Sequence, residues 1–194
     1  AGNKTVGLYG YAANTGSNSD ISVGQGGTGI YSKGGNITLN GKMAVGAKDA
    51  VGVYSVGVGQ TIINNATSIK IGDSSYGFVN KQTAGGNTFI SNTPSVKVGN
   101  DVVYAYSTDT KGTVNNKTVL TSTGSGNYGL YSAGNVTNDA NINFGSGTGN
   151  VGIYSTYGGT ATNLAGRTIT VGASYIDPNS SDSRYAVGMA AGFT

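Results

Sequence analysis

The chain has no cysteine, no histidine, no tryptophan and no glutamate. Without Cys there is no disulfide framework, and without Cys or His no zinc site of the usual kind. Without His, any nucleophile–imidazole dyad or triad is excluded as well. Charged residues make up only 10%, and all eight acids are Asp. Two Pro beside 35 Gly rule out collagen, which needs Gly at every third place with abundant Pro. No run of 18 apolar residues occurs, so nothing reads as a membrane-spanning helix.

What remains is Gly, Asn, Ser, Thr, Val, Ile and Tyr, a mixture that favours strands and tight turns over helices. Disordered chains carry more charge and fewer aromatic and β-branched residues. The composition reads as all-β. The net charge of +3 comes mostly from singly scattered Lys. No basic patch forms, so nucleic acid is not an expected partner, and Lys suits the solvent side of strands.

One phrase recurs along the chain: Val6-Gly7-Leu8-Tyr9, Thr28-Gly29-Ile30-Tyr31, Val51-Gly52-Val53-Tyr54, Tyr128-Gly129-Leu130-Tyr131 and Val151-Gly152-Ile153-Tyr154. Degenerate copies begin at Tyr76, Val103 and Val187. Their second positions stand at 7, 29, 52, 77, 104, 129, 152 and 188, at intervals of 22, 23, 25, 27, 25, 23 and 36 residues. Periods of this size mark a solenoid.

Two further short segments follow each copy. The last is the clearer, as in Ile21-Ser22-Val23-Gly24, Ile69-Lys70-Ile71-Gly72, Val96-Lys97-Val98-Gly99 and Ile169-Thr170-Val171-Gly172. Residues two apart share a face, so the aliphatic pair points inward and the middle residue to solvent. The closing Gly suits a turn with positive φ. The middle segment ends on Asn, as in Thr61 to Asn65 and Asn135 to Asn138. Asn there suits a left-handed turn, and stacked turns would align the Asn side chains in a ladder. The second coil holds two apolar segments in close succession, Ile37 to Asn40 and Met43 to Gly46, which leaves its strand allocation open.

Three strands per period predict a right-handed, three-sided parallel β-helix of about eight coils of 22–27 residues, occupying 1–194 as one unit. The chain starts one step ahead of its first repeat, without a signal peptide or caps, and reads as a section of a longer array. The long last interval places an inserted loop at 173–186, Ala173 to Ala186, which is expected to protrude.

Strand alternation with Val6 and Leu8 inward turns Gly7 and Tyr9 outward. Tyr9, Tyr31, Tyr54, Tyr106, Tyr131 and Tyr154 then form an aromatic column, interrupted at Val79. Aromatic faces accept sugar rings and apolar side chains. The same column also reads as neighbouring rings packing on one another over the bare backbone at Gly. Candidate ligand contacts are therefore Tyr106, Tyr131 and Tyr154 on the column, with Tyr175, Asp177, Asp182, Arg184 and Tyr185 in the insertion. Asp49, Asp73 and Asp101 fall at similar turn positions, where aligned carboxylates would suit a metal or a glycosidase. Local hydrogen bonding is the plainer account of Asp in turns. The clusters Gly24 to Gly29 and Gly145 to Gly149 lack the Lys and helix of a phosphate loop and the Asp of a calcium-binding repeat, and read as turns. No cofactor and no catalytic residue is expected.

Gly-Ile/Leu/Val-Tyr-Ser, an Asn-ended segment and Ile-X-Val-Gly, repeated over residues 1–188, resemble the passenger repeats of large type V autotransporter adhesins, most closely the fusobacterial kind. The lack of cysteine is in keeping with a bacterial surface protein. The resemblance implies a right-handed β-helical stalk, exported to the bacterial cell surface and held there by a C-terminal barrel outside this stretch. It implies a non-enzymatic role in adhesion, virulence included. The partners would be receptors or glycans on host cells or other bacteria, with no membrane insertion by this section itself. A β-helical polysaccharide-processing enzyme, or a phage tail-spike-like glycan-binding protein, is the alternative.

Overall fold

Each Gly-X-Tyr-Ser copy becomes a strand of one long parallel sheet. The computed structural model describes residues 4–193 and contains no helix among them. The first sheet stacks Val6–Tyr11, Thr28–Lys33, Val51–Val56, Tyr76–Asn80, Val103–Ser107, Tyr128–Ser132, Val151–Thr156 and Val187–Phe193 in chain order. A second sheet of seven strands runs from Thr15–Ser17 to Ala161–Asn163, and a third from Ile21–Val23 to Ile169–Val171. Pairs within each sheet are parallel, and each strand meets its counterpart one coil away. This is a three-sided parallel β-helix of seven complete coils, followed by one more strand of the first sheet. At about 4.8 Å per strand the first sheet is about 34 Å long.

The third sheet follows the inward–outward alternation expected of it. Ile69 and Ile71 are buried while Lys70 is exposed, and Val96, Lys97 and Val98 repeat the pattern. Stacking these pairs builds a continuous apolar column with Ile30, Ile37, Leu39, Met43, Leu120, Leu130, Ile142, Phe144 and Ile153. At about 25 cal/mol per Å² of apolar area removed from water, this column is the main favourable contribution to folding. The second coil is ordinary: Ile37–Leu39 belongs to the second sheet and Met43–Val45 to the third.

The first sheet breaks the simple alternation. An ideal Cβ at Gly29 would stand 2.6 Å from the Gly52 carbonyl oxygen and 3.3 Å from side-chain atoms of Ile21 and Val23. The Gly position therefore faces inward, as does the aliphatic residue after it, and two successive residues turn to the core. The expected outward Gly7 and inward Val6 are thus corrected: Val6 is exposed. Only Gly lets the inner backbone pack this closely on the next coil. The exception proves informative, because Tyr104 holds the Gly position and is fully buried. Small Ala105 follows it where the two adjoining coils carry Phe78 and Leu130, which frees the volume that the ring needs. The Tyr104 hydroxyl lies 2.6 Å from Ser91 Oγ and accepts from Asn64 Nδ2 at 3.2 Å. Burial pushes the Tyr104 phenol above its usual pKa, with the hydrogen bonds opposing.

Turn chemistry also differs from expectation at two kinds of position. The Gly closing the third-sheet strands does not have positive φ at 46, 72, 99, 145 or 172. It is needed for close approach instead, since a Cβ at Gly72 would stand 2.5 Å from the Ala47 nitrogen. The Asn at the end of the second-sheet strands is not left-handed either. Asn64, Asn116 and Asn138 are buried, and Asn116 Nδ2 donates to Asn138 Oδ1 at 2.7 Å. The ladder expected from stacking does form one residue further on in the first coils, where Asn40 donates to Asn18 at 2.7 Å and Asn92 to Asn65 at 2.8 Å.

The Ser of the repeated phrase points inward at the corner between the first and second sheets. A polar spine lines that corner. Ser55 Oγ donates to Gln60 Oε1 at 2.8 Å, the Gln60 amide donates to Asn87 Oδ1 at 2.8 Å, and the Asn87 amide donates to Asp109 Oδ2 at 2.8 Å. Asp109 is fully buried and also accepts from the amides of Gly85 and Lys111. Its carboxylate occupies a nest of backbone N–H groups of the kind that suits an anion.

Candidate functional site

The outward side of the first sheet carries the tyrosines. Parallel register sets Tyr9 beside Tyr31, Tyr31 beside Tyr54, Tyr106 beside Tyr131 and Tyr131 beside Tyr154. Strand spacing then forces ring on ring. The centroids are 5.5 Å apart for Tyr9–Tyr31 and Tyr31–Tyr54, with interplanar angles of 14° and 5°. Tyr106–Tyr131 stand 5.0 Å apart at 35°, and Tyr131–Tyr154 5.3 Å apart at 25°. The column expected from the repeat is present, and each ring packs on its neighbours. Burial first, and neighbouring phenols second, raise the pKa of Tyr54 and Tyr131.

Val79 splits this column into two stacks of three. It lies in register between Tyr54 and Tyr106, and Tyr76 turns its edge toward Tyr106 at 6.3 Å and 66°. Tyr128 meets Tyr131 in the same edge-on way at 6.0 Å. The second stack therefore has flanking aromatics, while the first has Val51 and Thr28 at the equivalent positions.

The inserted segment does not stand away from the rod. Tyr175 and Arg184 exchange two backbone hydrogen bonds of 2.8 Å, closing 173–186 into a hairpin. Asp177 caps its tip, accepting from the Asn179 amide at 2.8 Å and from Ser180 Oγ at 2.9 Å. The Asn179 bond, then the Ser180 bond, hold the Asp177 carboxyl below its usual pKa. The hairpin folds back over earlier coils, where Arg184 Nη1 donates to Asp101 Oδ1 at 2.6 Å across 83 residues of sequence. Gly126 and Gly149 make this possible. Both have positive φ, 72° and 62°, and a Cβ on them would stand 2.7 Å from Arg184 Nη1 and 2.5 Å from Arg184 Cβ respectively.

Between hairpin and sheet lies a cleft of about 430 Å³, walled by Tyr128, Tyr154 and Tyr185, floored by Val151 and edged by Arg184 and Asp101. Of the expected residues, the structure brings Tyr154, Arg184 and Tyr185 together here. Tyr106 and Tyr131 share the face but line a different cleft. Tyr175, Asp177 and Asp182 do not line this cleft; Asp177 is taken up by its own turn. Asp101, Tyr128 and the two corner glycines are further parts of the site. Only Asp101 had a signal in the sequence, as one of three similarly placed acids.

Those three acids do not align. Asp49 and Asp101 share a corner position with positive φ, 61° and 53°, but Ser74 at 55° stands between them. Asp73 is one residue out of step and accepts from the Asn100 amide at 2.8 Å. That bond, together with the Asn100 side chain, holds its carboxyl low. Among the described residues, no three His, Cys, Asp or Glu side chains are grouped to hold a metal ion. The site offers ring faces, one guanidinium paired with one carboxylate, and backbone groups at a turn. These are elements of recognition.

By its fold the chain is a parallel β-helical solenoid. No protein-family model, curated protein or solved structure matches it.

Proposed function

We propose that this chain is a β-helical section of a bacterial cell-surface adhesin of the type V autotransporter kind. Its tyrosine face and folded-back hairpin meet a receptor or glycan on a host cell or another bacterium. The section acts outside the cell as a stalk and a contact surface, without catalysis, and a C-terminal barrel elsewhere in the full protein anchors it to the outer membrane. The observation that carries this reading is the cleft in which Tyr154, Tyr128 and Tyr185 converge with Arg184. Amphipathic rings around a cation, on a rigid scaffold, are the composition of energetic hot spots in binding surfaces. The repeat supports the surface-stalk role, since a solenoid presents one face over a long span.

The test is adhesion of beads coated with the purified chain to epithelial cells and to other bacteria. Replacing 173–186 by a short turn is expected to reduce attachment by about tenfold. Arg184→Ala, which frees the hairpin from Asp101, is expected to reduce it about threefold, since the exposed pair contributes only about 0–1 kcal/mol. Unchanged attachment in the hairpin variant rejects the contact surface. Depolymerisation of a polysaccharide by the chain would replace adhesion with glycan processing.

A further inference from the structure

A second cleft, of about 340 Å³, opens on the far side of the same tyrosine stack, where the first sheet turns into the second. Tyr106 and Tyr131 wall it, with Tyr157, Thr156, Thr108 and Thr110 around them. Three observations set it apart from ordinary packing. First, Tyr157 and Gly158 both have positive φ, 51° and 78°, and the Gly159 amide donates to the Thr156 carbonyl at 2.9 Å. That is a type I′ turn, whose central positions favour Asn and Gly. A bulky aromatic at φ of 51° is strained, and here the residue is 68% exposed. The strain is not compensated by burial of the ring.

Second, Thr156 is only 6% exposed, and its Oγ1 is enclosed with no hydrogen-bond partner. Strand alternation places it on the outward side, two residues beyond Tyr154. Thr156 lines the cleft, so a χ1 rotation can turn this hydroxyl toward it, where a ligand would supply the missing partner. Third, no charged side chain lines the cleft. Thr108 and Thr110 donate their hydroxyl protons to the carbonyls of Gln82 and Thr83, at 3.0 and 2.8 Å, which leaves their oxygens free to accept. Ring faces, acceptor oxygens and an unused hydroxyl, with no cation or anion, match one ligand chemistry: the apolar face and hydroxyl rim of an uncharged sugar ring. The volume falls in the usual range for small-ligand sites.

We infer that the Tyr106–Tyr131–Tyr157 cleft binds a neutral hexopyranose unit of a surface glycan. The sugar ring stacks on the exposed Tyr157 beside Tyr106 and Tyr131, since both faces of Tyr131 are taken by its neighbours. The sugar hydroxyls pair with Thr108, Thr110 and, after rotation of its side chain, Thr156. This deepens the adhesion reading and rests on it, but the cleft is distinct from the hairpin cleft and does not include Arg184.

The test uses the whole chain with methyl β-D-galactopyranoside, methyl α-D-glucopyranoside and D-glucuronate, read by saturation-transfer NMR and by tyrosine fluorescence. At least one neutral glycoside is expected to bind saturably with a Kd on the order of 1 mM, perturbing the resonances of Tyr106, Tyr131 and Tyr157. Tyr157→Gly suits the turn, so it folds, and is expected to weaken binding about tenfold. Thr156→Val keeps the shape, leaves the Tm unchanged or higher, and weakens binding about threefold. Glucuronate is expected to bind at least about tenfold more weakly than the better neutral glycoside. Absence of neutral-glycoside binding, undiminished binding by Tyr157→Gly, or equal binding of glucuronate overturns the inference. Cell attachment that persists while no glycoside binds overturns this site alone. Glycoside binding by the variant without the hairpin supports this site even where attachment is lost.

Discussion

The two halves of the tyrosine column use the same residue in the same register, yet the two larger clefts on this face both lie against the second half. Tyr9, Tyr31 and Tyr54 stack nearly flat and are flanked by small side chains. Tyr106 is tilted on Tyr131 and Tyr154 stacks on that same ring at 25°, with Tyr76 and Tyr128 edge-on beside them and Tyr157 and Tyr185 each walling one cleft. The repeat makes the platform, and departures from the repeat make the site. The difference extends inward, since Tyr104 fills the core beneath the second half where the first half has Gly29 and Gly52.

The comparison can be broken most strongly from below. Tyr104→Ala removes a fully buried ring and leaves Asn64 and Ser91 without their shared partner. It is expected to cost about 4 kcal/mol in denaturant unfolding, against about 1 kcal/mol for Tyr31→Ala on the outer face. Equal losses would mean that the inner ring adds nothing special to the second half. Alkaline pH is the next lever. The Tyr104, Tyr54 and Tyr131 phenols are raised from 10.0 by burial. A raised folded pKa contributes stability that is complete below the unfolded value and is lost as pH rises through the folded one. Circular dichroism is therefore expected to show stability falling above about pH 10, with Tyr104→Phe moving the fall to higher pH. No difference between that variant and the parent would place the sensitivity on the outer tyrosines. The smallest effect sharpens the boundary itself. Val79→Tyr completes the column and is expected to raise stability by about 0.5 kcal/mol. A loss instead would show that Tyr76 already occupies the gap.

The solenoid was legible because its physics is periodic: paired aliphatic residues two apart and a phrase recurring every 22–27 residues up to Gly152 describe a coil before any contact is known. The orientation of the first sheet was not legible. Strict alternation puts Gly29 outside, whereas the backbone turns two successive residues inward, a distortion that only contact with the next coil explains. The closing Gly72 and Gly99 read as turn glycines for the same reason, whereas the Ala47 backbone excludes a side chain at Gly72 and the Asp73 carboxylate excludes one at Gly99. Of the hairpin cleft, Tyr154, Arg184 and Tyr185 were legible as the outward column and the least repetitive stretch. Asp101 as the partner of Arg184 was not, because 83 residues separate them and only the stacking of coils brings them together. Tyr157 carries no signal in the sequence, because what sets it apart is its backbone conformation.

The inward glycines have one further consequence. Gly7 lies over the Gly29 carbonyl, Gly29 over that of Gly52, Gly52 over that of Gly77, and Gly129 over that of Gly152. At these positions each coil makes its steric demand on the next coil alone, while Gly72 and Gly147 make theirs on the coil before. Recombination that duplicates one whole period among the first two coils repeats these backbone contacts and leaves the Arg184–Asp101 and Tyr104–Ser91 contacts of the later coils untouched. The array can lengthen in steps of about 4.8 Å at that end, setting how far the clefts stand from the first coil while their walls, built from later coils, stay unchanged.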